Sequence, residues 1–232
     1  MTVFPDQAAA DYDQRILRLV PGYELALDLA AGYLAASCGQ AVDILAPGCG
    51  TGGDVLAIAG RIPQAHFLAF DPSRGMVEKA RERFGAAGVL SRVDLRCCIM
   101  DAIDETRHDA ALVSLVLHFL ADDGDKANFL RAVHDRLQPN APLLLFDAVL
   151  EPGDDNLLAA WLRGQGHAVA AVEAILNRID KDWRRTTSAR RDELLVEAGF
   201  EKARRIMRVP GFDLVATTRV GGRSPHSSPH WP

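Results

Sequence analysis

The chain has 232 residues, 48% of them hydrophobic, with a formal net charge of -5 and a sequence pI near 5.8. That length and apolar share suffice for one α/β-sized core with additions, and the acidic balance argues against nucleic-acid binding through a dominant basic face. No apolar run approaches the roughly 18 residues that a membrane helix needs, and the acids in "MTVFPDQAAADYDQR" do not suit a secretory leader, so a cytoplasmic protein with no membrane partner is expected.

In chain order, "YELALDLAAGYLAA" (23–36) carries apolar residues at helical spacing after Pro21 and Gly22, so residues 1–36 read as a helical N-terminal lid. Five short apolar runs follow, "AVDILA" (41–46), "AHFLAF" (65–70), "RVDLRCCI" (92–99), "DAALVSLVL" (109–117) and "PLLLFDAV" (142–149), of the kind that forms strands covered on both faces. The helical stretches "GDVLAIAGRI", "SRGMVEKARERF" and "KANFLRAVHDRL" lie between them. This alternation predicts an α/β fold with a doubly wound, mostly parallel sheet that takes ligands at its carboxyl edge.

After Val149 the pattern changes. Residues 151–186 read as a helical insertion interrupted at Gly164 and Gly166, and "SARRDELLVEAGF" as a helix stopped by Gly199. Two extended stretches around Pro210 and Gly211 predict a terminal antiparallel strand pair, which brings the sheet to seven strands. The Gly-, Ser-, Pro- and His-rich residues 219–232 read as a disordered tail. Cys38, Cys49, Cys97 and Cys98 lack metal-ligand spacing, and the adjacent pair, set in an apolar run, is expected to be buried thiols.

"ILAPGCGTGGD" (44–54) places Gly48, Gly50, Gly52 and Gly53 where a chain leaves a strand, turns, and lets backbone N–H groups approach a ligand before a helix begins. Both the dinucleotide G-x-G-x-x-G and the methyltransferase G-x-G-x-G fit. Asp71 ends the next strand about 20 residues on, where a carboxylate receives ribose hydroxyls in either template or else starts a turn with Pro72 and caps the helix at Ser73. Asp101, just past the third strand, suits an adenine amino group, which a nicotinamide fold does not require.

Across residues 40–150 the segments "ILAPGCGTGG", "FLAFDPSRGMVEKARER", "CCIMDAID", "HDAALVSLVLHFL" and "LQPNAPLLLFD" resemble the class I S-adenosylmethionine-dependent methyltransferases, in order and spacing. The resemblance continues more loosely to residue 218, which implies one methyltransferase domain over 1–218 with its cofactor core at 37–150. It implies S-adenosyl-L-methionine as cofactor, with Gly48, Cys49, Gly50, Thr51 and Gly52 around the methionine part and Asp71 with Pro72 at the ribose. Met76 would cover the adenine, Asp101 and Ala102 would read its amino edge, and Ser114 would begin the stretch near the sulfonium. "YDQRILRLVPGYELALDL" and "FLADDGDKANFLRAVHDRLQPNAPLLLFD" are similar to the carboxy-S-adenosylmethionine synthases within that class. Two departures stand out. The acid common two residues before the first glycine, which helps anchor the cofactor's amino group, is Ala46 here. Arg190 and Arg191 stand a turn earlier than the synthase arginine that holds the carboxylated cofactor. Ordinary S-adenosylmethionine is therefore expected.

The expected reaction transfers a methyl group in line to a small-molecule acceptor. The alternatives are remodelling or cyclisation of the cofactor with release of methylthioadenosine, a part in tRNA wobble-uridine modification, or nucleotide binding without turnover. Tyr12 and Tyr23 are expected to close over the cofactor, an aromatic face meeting the sulfonium, and His118 is the candidate base. Asp147, Trp161 and His167 are candidates for the substrate pocket, which the insertion would form. The basic stretch 178–208 reads either as an RNA surface or, with its interleaved acids, as a solvated face. Apolar surface on the lid and the insertion suits either a homodimer or closure over the chain's own site.

Overall fold

The structure, a computed structural model, describes residue 9 and residues 11–39, 41–104 and 107–221. Seven strands, β1 (Asp43–Pro47), β2 (His66–Asp71), β3 (Val93–Cys97), β4 (Ala110–Ser114), β5 (Pro142–Ala148), β6 (Arg204–Val209) and β7 (Phe212–Thr218), form one sheet in the order β3-β2-β1-β4-β5-β7-β6. The first five pair in parallel, and β7 runs antiparallel between β5 and β6. From β1 the chain winds outward through β2 and β3, then returns to β4 and β5 on the other side, so the carboxyl ends of β1 and β4 flank the topological switch point.

Side chains alternate between two cores, as the pleat requires. Ile44, Ala46, Phe67, Ala69, Leu112 and Phe146 pack with α2 (Tyr23–Ser37), α3 (Gly53–Arg61), α4 (Arg74–Ala86), α6 (Asp154–Gly164) and α7 (Val169–Asp182). Leu45, Leu68, Phe70, Val113 and Leu145 pack on the other face with α5 (Asp125–Arg136) and α8 (Ser188–Glu197). The remaining helix, α1 (Tyr12–Leu19), lies before α2, and Val20 and Ile16 join it to the first core.

Three expectations change. The fourth strand stops at Ser114 rather than 117, because Leu115 takes a positive φ of 57° and residues 117–119 wind into a 3-10 turn. Cys97 is exposed and Cys98 half-buried, since β3 is an edge strand with only one neighbour. Order also continues past residue 218: Arg219 bridges Phe200, donates its N–H to the Ala141 carbonyl and reaches the Leu137 carbonyl with its guanidinium. The rest of the expected tail, residues 222–232, lies outside the described residues.

The terminal strands are fastened by charge. Asp213, fully buried on β7, accepts from Arg191 at 2.8 Å and Arg208 at 2.7 Å, and Arg208 also holds Asp154 at the start of α6. Among the described residues no helix is long and apolar enough to cross a membrane.

Candidate active site

The glycine turn leaves β1 at the switch point and opens α3. Two of its glycines serve packing: a Cβ on Gly48 would lie 2.5 Å from Val116, and one on Gly52 would lie 2.3 Å from the Phe84 ring. Gly50, with φ of 52°, has open space where a Cβ would stand, so the backbone there faces the cleft. Asp71 fixes it: one carboxylate oxygen accepts the Gly50 N–H at 3.1 Å and the other accepts the Ser73 N–H at 2.8 Å. The two sequence readings of Asp71 thus meet in part, because the acid does organise the turn after β2 while standing in the wall of the cleft. Burial raises its pKa, opposed by those two N–H donors.

The lid is bolted to the turn through α1. Thr51 donates its hydroxyl to Asp13 at 2.6 Å, and one Arg83 nitrogen reaches Asp13 at 2.9 Å, the Thr51 carbonyl at 3.0 Å and the Thr51 hydroxyl at 2.9 Å. This places Tyr12 and Tyr23 in the wall of the same cleft as Gly48, Cys49, Gly50, Thr51, Asp71, Pro72, Met76 and Ser114. Burial first, then the neighbouring acids, raises both phenols above their ordinary pKa, so they are neutral at physiological pH. The Cys49 thiol is pushed up by the same burial and so stays protonated and unreactive.

Sequence reasoning missed Asp54. It occupies the first turn of α3, is only 3% exposed, and lines the cleft. One of its oxygens accepts the Val55 N–H at 2.8 Å. Burial is the main cause that pushes its pKa up to about 7, with Asp71 adding to it and the local N–H groups and Arg83 opposing it. The sequence signal was an acid directly behind the glycines, which reads as an ordinary partner of a helix N-terminus. Ser114, 9% exposed at the end of β4, also lines the cleft, and its buried hydroxyl has no hydrogen-bond partner within the protein. A buried polar atom without a partner is costly, so this hydroxyl suits a ligand.

Several expected residues stand elsewhere. His118 is 2% exposed, with Nδ1 2.7 Å from Asp147 and its ring 4.0 and 4.3 Å from those of Phe119 and Trp183. It does not line the cleft; Phe119 does. Asp147 is equally buried, and its carboxylate accepts the N–H groups of Val116, Leu117, His118 and Ala148, closing the turn after β4. Burial alone would raise its pKa, but the imidazole and these donors more than reverse that and hold it below the ordinary carboxylate range. Neither residue lines the cleft; each is buried and bonded to the other. Trp161 donates its indole N–H to the Arg18 carbonyl at 3.2 Å, seating α6 against α1, and His167 sits half-buried in the turn after α6. Among the described residues, none from the insertion 151–186 walls the cleft. Asp101 and Ala102 form an exposed 3-10 turn after β3, at the carboxyl edge but outside the cleft wall.

A family model described as a methyltransferase domain matches residues 45–143, the segment that contains the glycine turn, Asp71 and Ser114. The carboxy-S-adenosyl-L-methionine synthase of Wolinella succinogenes is 25% identical over 224 residues, which cover 90% of each chain. The chain is similar in sequence and fold to the class I S-adenosylmethionine-dependent methyltransferases. Solved structures of this fold include human N-acetylserotonin methyltransferase in complex with SAM, with a TM-score of 0.64 at 16% identity over 93% of this chain. The N,N-8-amino-8-demethyl-D-riboflavin dimethyltransferase of Streptomyces davawensis has a TM-score of 0.64 at 19% identity over 86%. The chain spans 57% and 55% of those two chains.

The cleft fits S-adenosylmethionine on its own chemistry. The cofactor carries a sulfonium and an ammonium, and the wall offers the carboxyl groups of Asp54 and Asp71, aromatic faces from Tyr12 and Tyr23, and the unpartnered Ser114 hydroxyl. No lysine, arginine or histidine stands in that wall among the described residues.

Proposed function

We propose that this methyltransferase passes the cofactor's methyl group to a small neutral or cationic acceptor, in the cytoplasm. The observation that carries this reading is a cleft wall with two acids and no cation, which suits ordinary S-adenosylmethionine and disfavours an anionic acceptor or a carboxylated cofactor. Arg190 and Arg191, the nearest counterparts of the synthase arginine, are engaged elsewhere: Arg190 with Asp122, Glu193 and Glu197, Arg191 with Asp213. Ion pairing within the stretch 178–208, to which Arg185 with Asp155 and Arg208 with Asp154 also belong, supports a small molecule over a nucleic acid as partner. Its four free cysteines suit a reducing compartment.

When bound, S-adenosylmethionine supplies a methyl group that is already electrophilic. The chain's work is then placement and exclusion of water. In this reading Asp71 and Gly50 shape the nucleoside end, Tyr12 and Tyr23 close the lid, and Phe119, Leu115 and Val116 present an apolar wall to the acceptor. With His118 sequestered, the acceptor brings its own lone pair, as an amine or an already acidic hydroxyl or thiol does.

The test incubates the protein with methyl-labelled S-adenosylmethionine and a panel of amines, phenols and thiols, and identifies the nucleoside product by mass. S-adenosylhomocysteine with label in the acceptor is expected. Methylthioadenosine, or a carboxylated cofactor that keeps its methyl, would overturn the proposal.

A further inference from the structure

We propose that Asp54 anchors the ammonium group at the methionine end of the cofactor, the role left vacant by Ala46. The inference rests on the methyltransferase reading. The position at which the resemblance implies an anchoring acid is Ala46, fully buried in the core between the sheet and its helices. Asp54 lies on the other side of the glycine turn and lines the cleft.

Its surroundings call for a cation. Tyr12 faces it from α1, Tyr23 from α2, Cys49 from the glycine turn and Asp71 from β2, all neutral or negative. Among the described residues the positive group acting on it is Arg83 of α4, whose Nη1 is already bonded to Asp13 and Thr51, while Arg15 stands by Tyr12. A buried carboxylate without a paired charge is destabilised until a cation arrives. An ammonium has three donors to satisfy, and the unpartnered Ser114 hydroxyl supplies a second acceptor in the same wall.

Of the cofactor's two positive groups, the ammonium is the better match. The sulfonium charge disappears as the methyl leaves, so a carboxylate held against it would stabilise the reactant more than the transition state, and would itself compete as a nucleophile. The ammonium keeps its charge throughout, and binding it adds affinity at no cost to the chemical step.

The test measures affinity calorimetrically for S-adenosylmethionine, S-adenosylhomocysteine and methylthioadenosine, in the natural protein and in Asp54→Asn, with a melting curve for each. Methylthioadenosine lacks both the ammonium and the sulfonium charge, whereas S-adenosylhomocysteine lacks only the sulfonium. The expected result is that Asp54→Asn weakens the first two ligands alike, by about ten- to a hundredfold, and leaves methylthioadenosine within about twofold. Equal weakening of all three would make Asp54 a fold residue, and weakening of S-adenosylmethionine alone would place it at the sulfonium. Unchanged affinities with lost turnover would make it a base. Each of these overturns the proposal. If the natural protein binds none of the three, the methyltransferase reading itself falls.

Discussion

Replacing Asp147 by Asn separates a residue that holds the fold from one that faces a substrate. Its two oxygens accept five hydrogen bonds at 2.6 to 3.1 Å: Val116 and Leu117 N–H on one, His118 N–H, His118 Nδ1 and Ala148 N–H on the other. An amide keeps one accepting oxygen. In its better orientation the new NH2 group meets the Val116 and Leu117 donors, so two buried N–H groups lose their acceptor and face a donor instead. At about 1–3 kcal/mol for each orphaned group the loss is roughly 2–6 kcal/mol. For a chain of this size that corresponds to a fall in Tm of about 4–24 °C. Calorimetry of the natural protein and Asp147→Asn without cofactor measures it. A fall below about 2 °C together with loss of turnover would refute the argument and return Asp147 to the substrate pocket. The pH dependence follows with a definite sign: the folded pKa lies below the unfolded one, so the carboxylate's contribution is complete above about pH 4 and fades as pH falls through the folded value. The acid limb of the natural protein's stability curve should therefore be steeper than the variant's.

Three further outcomes are expected. Ser114→Ala removes a buried hydroxyl without a partner, so Tm should rise by about 2–4 °C while cofactor affinity falls several-fold; a lower Tm would show that the hydroxyl is already satisfied. Tyr12→Phe should leave cofactor affinity within a few-fold and Tyr12→Ala should weaken it clearly, and equal, wild-type affinities in both would remove the ring from the site. Because the Asp54 carboxyl, with its pKa near 7, must lose its proton to hold a cation, S-adenosylmethionine affinity should increase about fivefold from pH 6 to pH 7, below the titration of the ligand's own amino group; a flat profile in the natural protein would show that this carboxyl does not meet the cofactor.

What was legible in the sequence is what depends on spacing along one element. The glycines had to sit between a strand and a helix, Asp71 had to end the adjacent strand, and the helical period carried Tyr23 to the start of α2, so these residues meet in space because neighbouring parallel strands share one carboxyl edge. For the opposite reason Asp147 and His118, expected at the pocket, do not line the cleft. They also lie at that edge, but which way a side chain turns there depends on a partner 29 positions away, and the unsatisfied N–H groups of the turn after β4 compete with any substrate for the carboxylate. Trp161 and the insertion show the same limit on a larger scale: an amphipathic helix announces that it will bury one face, and only the position of α1, fixed by Asp13, Thr51 and Arg83, decides that α6 packs there rather than over the cleft. Asp54 was hidden because its position has an ordinary explanation. An acid in a first helical turn is favourable by the backbone dipole alone, so it gives no signal until the fold shows it enclosed by two phenols and another acid, at which point the dipole no longer accounts for the cost of burying it.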